Sequence, residues 1–142
     1  MTKSEFSVIY VVMIQLYFLS VLCNGVAGYA LFAGGDRENA RFSINNPVFY
    51  LVLGIICIVT GVLKLLSPAE KGIPILGDLI PAAAGIIAGL MLIFGIYRQN
   101  TSEKSGELDR LGTSLMTFRK PIGIGLMVVA LLHFLLPNAL FL

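Results

Sequence analysis

Residues 53–68 read LGIICIVTGVLKLLSP, and residues 122–137 read IGIGLMVVALLHFLLP. Laid together without a gap, Gly54 falls on Gly123, Gly61 on Ala130, Lys64 on His133 and Pro68 on Pro137. Every other pair sets apolar on apolar, save Thr60 on Val129 and Ser67 on Leu136. The chain therefore reads as one unit used twice. Each copy closes with an ionisable residue one helical turn before a proline.

Composition sets the class. The 142 residues are 57% hydrophobic and 13% charged, with a mean hydropathy of +0.90. A soluble domain is about 45–50% apolar and about 25% charged. The length suits four membrane helices of ~20 residues each, forming a single integral membrane domain over residues 1–142. A net charge of +2 with no basic run argues against a nucleic-acid partner. Cys23 and Cys57 lie in separate apolar runs, so no CxxC redox or zinc motif exists. They are expected to be small apolar packing residues. The first apolar run far exceeds the 7–15 residues of a signal-peptide core, so it is read as an uncleaved helix.

Helix 1 is predicted over residues 6–32. Tyr10, Tyr17 and Asn24 recur along one stripe, beside Met13, Ser20 and Gly28. Polar groups facing lipid find no partner, so that stripe is expected to face protein. Gln15 lies off the stripe. Two glycines end this helix, and Asn45-Asn46-Pro47 is a start signal for helix 2, residues 48–66. Gly54, Gly61, Cys57 and Lys64 share one stripe of that helix. Residues 67–72 are read as a tight turn. Helix 3, residues 78–97, carries Asp78, Ala82, Gly85 and Gly89 on one face, with Pro81 expected in its first turn. Gly85-xxx-Gly89 and Ala84-xxx-Ala88 are small-xxx-small patterns that admit a close neighbour. Residues 98–120 form the longest polar segment, either a short amphipathic surface helix carrying Leu108, Leu111, Leu115 and Phe118 or a solvated loop. Helix 4, residues 121–136, sets Gly123, Ala130 and His133 on one face. Gly54, Gly61, Gly85, Gly89 and Gly123 are the expected helix-packing positions.

Seven of the ten Lys and Arg residues fall on one side: Arg37, Arg41, Arg98, Lys104, Arg110, Arg119 and Lys120. Lys3, Lys64 and Lys71 fall on the other. The positive-inside rule then places both longer loops in the cytoplasm and both termini outside. Two helices per repeat keep both repeats parallel, with a pseudo-two-fold axis along the membrane normal. Helices 1 and 3 match only faintly, through Leu22 and Gly25 against Leu92 and Gly95.

Lys64, Asp78 and His133 are expected at one depth, Lys64 and His133 roughly 6 Å inside the outer boundary, with Tyr10 near them. Asp78 opens helix 3, where the dipole favours an acid, and is placed to pair with Lys64 or a charged His133. Ionisable residues within spans usually face the interior. The plainer alternatives are that Lys64 snorkels to the headgroups, Asp78 caps its helix and His133 bonds a neighbouring carbonyl.

Several chemistries do not fit. A bis-His haem needs two histidines, and there is one. Quinone-linked thiol oxidation needs paired cysteines. Metal-dependent headgroup transfer needs clustered acids, and Asp78 is the sole acid within a predicted span. No metal site or cofactor is expected, and no catalytic constellation is visible. Residues 54–68 resemble the "G…G-x-x-K" helix of small four-helix proteins of the DoxX kind. The likeness covers only that run and falls in helix 2 rather than helix 1.

The expected fold is an all-α, four-helix transmembrane bundle of two helix-hairpin repeats in a cell membrane. The expected role is non-catalytic: an accessory or scaffold subunit, packed against lipid and against another membrane protein or copies of itself. The alternative is a small carrier or channel using Lys64, Asp78 and His133 as a polar gate.

Overall fold

The computed structural model describes residues 3–34, 46–66, 74–100 and 106–135, which form five helices. These are α1 (Lys3–Ala33), α2 (Pro47–Leu66), α3 (Pro74–Asn100), α4 (Glu107–Thr117) and α5 (Arg119–Leu135). Three stretches are long and apolar enough to cross a membrane: Ser7–Ala33, Pro47–Leu66 and Leu79–Arg98. A fourth is bent by 56° between Arg110–Thr117 and Arg119–Leu135.

The helix ends follow local chemistry. Asn46 caps α2: its side-chain oxygen accepts the Val48 N–H at 2.9 Å, and Pro47 takes the first helical position, where no N–H is needed. α1 stops at Ala33, and Gly34 donates its N–H back to the Ala30 carbonyl at 3.0 Å. Gly106 precedes α4 with φ 145° and ψ 173°, a conformation nearly confined to glycine. The polar segment thus contains the amphipathic helix α4, with Leu111 and Phe118 exposed.

Two boundaries differ from expectation. α1 starts at Lys3 and α3 at Pro74, so both are longer than the apolar patterning alone marks. Pro81 consequently lies inside α3 rather than in its first turn. It removes one helical N–H donor, and the side-chain amide of Asn24 in α1 donates to the Pro81 carbonyl at 3.0 Å. The expected turn at residues 67–72 lies outside the described residues.

Packing is most extensive between α2 and α3 and between α1 and α5. Both contacts are closed by glycine. A Cβ on Gly89 would stand 2.5 Å from the Gly54 carbonyl oxygen, and one on Gly123 would stand 2.7 Å from that of Gly28. Gly54 also packs on Ile93, Gly61 on Ala82 and Ile86, Gly123 on Phe32, and Gly25 on Ala130. The core is largely of small residues, among them Cys23, Ala27, Ala30, Cys57 and Ala88, with Leu31, Leu53, Met91, Leu92 and Leu126 towards one end. Larger aliphatics such as Val8, Leu22, Leu66 and Leu135 lie outside. Helices that approach through small residues and expose large apolar ones gain their cohesion from close packing. Leu22 is 62% exposed and Leu92 only 4%, so the faint sequence match between them does not join equivalent positions.

Candidate functional site

Five polar or charged side chains are buried among the described residues: Ser20, Asn24, Thr60, Lys64 and His133. Three helices assemble the outermost group. α2 carries Lys64 one turn beyond Thr60, and α5 carries His133 on the face of Gly123, Leu126 and Ala130. Lys64 Nζ lies 2.9 Å from His133 Nε2, and the two residues are 6% and 4% exposed. Tyr17 of α1 completes the group. Its hydroxyl donates to the His133 carbonyl, its ring lies 4.7 Å from the imidazole, and Lys64 Nζ sits 5.8 Å from its ring centroid. That last distance is within cation–π range.

Two bases in contact must share one hydrogen bond, one offering a proton and the other a lone pair. Lysine is ordinarily the stronger base. The contact is satisfied when the Lys64 nitrogen donates to the lone pair on His133 Nε2. A second proton would set two cations side by side, a repulsion on the order of 4 kcal/mol or more at this separation.

Below this group the polar side chains continue along α1 and α2. Ser20 and Asn24 follow Tyr17 on one face of α1, and Thr60 lies one turn below Lys64 on α2. Asn24 is 1% exposed, and its Oδ1 accepts no hydrogen bond among the described residues. Gly85 leaves room for it: a Cβ there would stand 3.2 Å from that oxygen. Beyond Asn24 the interior turns apolar, through Ala27, Leu31, Leu53, Met91, Leu92 and Leu126.

The expected residues fare differently. Lys64 and His133 meet, and Lys64 does not snorkel outwards. Tyr10 does not belong: it is 55% exposed, two helical turns beyond Tyr17, because α1 runs past the level of Lys64. Tyr17 takes its place. The side chain of Asp78 lies outside the described residues. The packing glycines Gly54, Gly61, Gly85, Gly89 and Gly123 are all buried. Separation in sequence also misleads about the cysteines. Cys23 and Cys57 are neighbours, the Cys57 thiol facing the Cys23 carbonyl oxygen at 3.6 Å, both buried and unoxidised. The two cysteines thus stand together in the core although they lie in separate apolar runs.

Fold and site together define an all-helical protein with membrane-length apolar helices around a buried Lys–His pair. A family model matches residues 13–133, and the chain belongs to that family, which is uncharacterised. The matched interval contains Tyr17, Lys64, Asp78 and His133. An uncharacterised protein of Treponema pallidum (strain Nichols) is 31% identical over 133 residues, covering 92% of this chain and 100% of that protein. No solved structure matches.

Proposed function

We propose that the protein is a four-span membrane bundle of two parallel repeats, and that Lys64 and His133 form the proton-holding gate of a small carrier or channel. The observation that carries this reading is the 2.9 Å contact between two bases that are each more than nine-tenths buried. Burying a cation beside a second base costs stability, so stability alone does not account for the pair. Ionisable residues inside membrane bundles mark ion pathways and proton relays. The hydroxyl and amide side chains of Ser20, Thr60 and Asn24 extend the polar path inwards, and the apolar half beyond them is the barrier that must open.

The repeat reading has support from packing. Gly54 rests on Gly89 and Ile93, and its counterpart Gly123 rests on Gly28 and Phe32. Gly61 rests on Ile86, and its counterpart Ala130 rests on Gly25. Gly89 for Gly28, Ile93 for Phe32 and Ile86 for Gly25 all share one register, so α3 corresponds to α1 as α2 corresponds to α5. The same register sets Ala88 on Ala27 and Leu92 on Leu31, all four buried. It also gives Asp78 the position in α3 that Tyr17 holds in α1. Asp78 is therefore the counter-charge in this reading, and the site sits on the axis between the repeats.

The test is proton flux in liposomes containing the purified protein and a pH-sensitive dye, with potassium and valinomycin clamping the voltage. Wild type should dissipate a pH gradient at least tenfold faster than empty vesicles. His133→Phe, purified with unchanged oligomeric state, should not. Equal rates for wild type and empty vesicles, at every gradient tried, would remove the gate.

One observation favours a second reading, the accessory subunit. The apolar span of α1 is 27 residues against 20 in α2 and α3. Its excess bears exposed Val8, Val11, Val12 and Ile14 around Gln15, an apolar surface the protein's own bundle leaves uncovered. An overlong span can be accommodated by association with another helix. A stoichiometric companion in mild detergent, together with inactive liposomes, would favour that role.

A further inference from the structure

A shallow, open cleft lies at the end of the bundle away from Lys64. It is lined by Leu31, Tyr50, Met91, Leu92, Met116 and Arg119, so that all five helices contribute. Gly95 widens it, since a Cβ there would touch Met116. The bend between α4 and α5 sets Met116 and Arg119 on either side of the break.

Arg119 is held in place. Its Nε donates to the Leu31 carbonyl at 2.9 Å, in the last turn of α1, where the helix dipole favours a cation. The guanidinium lies close over Gly34, where an added Cβ would make it shift. The cleft thus has apolar walls and a fixed guanidinium. In the sequence, the segments at this end hold seven Lys and Arg against five Asp and Glu, and Glu107 pairs with Arg110 at 3.9 Å. α4 lies at the same end with Leu111 and Phe118 exposed, the pattern of a helix resting in a membrane interface.

We infer that this cleft binds one anionic membrane phospholipid, headgroup phosphate at Arg119 and the first acyl carbons against Leu31, Leu92 and Met116. A guanidinium presents a planar fork suited to phosphate oxygens, and basic pockets between spans are suited to anionic headgroups. The inference rests on the membrane reading above but not on the Lys64 gate.

The experiment is thermal melting of the full chain in a neutral detergent. Phosphatidylglycerol, phosphatidylcholine or inorganic phosphate is added in turn. Phosphatidylglycerol should raise Tm by about 4 °C, as a ligand of the folded state does, and the other two should not. Met116→Trp fills the cleft without touching the guanidinium and should lose most of that shift, as should Arg119→Gln. Because Arg119 also ties down α1, Met116→Trp decides the matter if Arg119→Gln does not fold. An equal shift with phosphatidylcholine, a full shift with phosphate alone, or an undiminished shift in Met116→Trp would overturn the inference. A chain that stays soluble without detergent would instead bring down the membrane reading, a separate outcome.

Discussion

A lysine two residues from the end of an apolar helix can usually reach the headgroups with its charge. Lys64 turns inwards instead and spends its reach on His133 and the Tyr17 ring. The matching sequence stretches were enough to pair Lys64 with His133, since equivalent positions of the proposed parallel repeat share a depth. Tyr17, not Tyr10, lies at this level because α1 begins at Lys3 and runs past it. Counting back from its glycine terminus finds it: Ala33 to Tyr17 spans almost as many residues as Pro47 to Lys64. Asp78, as the counter-charge proposed above, has a direct test. Removing one member of a desolvated charge pair costs roughly 3–5 kcal/mol, because the other is left buried and unpaired. Asp78→Asn should therefore lower the melting temperature sharply, and Lys64→Met combined with Asp78→Asn should restore much of it. Strict additivity of the two single changes would show that the residues do not interact.

The helices were largely legible because several termini carry their own signals: Asn46-Pro47 before α2 and Gly34 after α1. What patterning could not supply was how far α1 and α3 continue past their apolar stretches, since the added turns carry no hydropathy signal. Nor could it show that Cys23 and Cys57 meet, which depends on how α1 crosses α2. The glycines, in contrast, were readable as packing positions, and the contacts rank them. A methyl group at Gly89 would press on the Gly54 backbone at 2.5 Å, where nothing can yield cheaply. At Gly85 it would meet the Asn24 side chain at 3.2 Å, which can move, and the Cys57 carbonyl at 3.3 Å. At Gly125 it would meet nothing within 4 Å. Gly89→Ala should thus destabilise most, by about 1–3 kcal/mol as overpacking does. Gly85→Ala should cost less, and Gly125→Ala should gain roughly 0.5–1 kcal/mol from helix propensity. Unfolding of the three variants in the same detergent checks the order. A Gly89→Ala protein as stable as wild type would mean that α2 and α3 do not approach through that face.

For the molecule as a whole, direction across the membrane is the property on which the gate and the lipid cleft both depend. The two lie at opposite ends: Lys64 and His133 near the last residues of α2 and α5, and Arg119 where α5 begins. Seven of the ten Lys and Arg residues belong to the Arg119 side. Positive charge resists translocation, so that side is expected to remain cytoplasmic. The cleft would then face the leaflet rich in anionic lipid in many cells, and the gate would face outwards. Cysteine labelling in intact cells reads this directly, in a background with Cys23 and Cys57 replaced by alanine. Thr101→Cys should be protected from an impermeant thiol reagent until the cells are opened. Gly72→Cys, on the side of Lys64, should react at once. The reverse pattern would invert the molecule, placing the gate at the cytoplasmic face and the basic cleft outside. Labelling of both positions in intact cells would mean that the spans between them do not form the expected odd-numbered crossing. With α3 the single described helix joining residue 72 to residue 101, that result would deny α3 a transmembrane course and, with it, the four-span bundle.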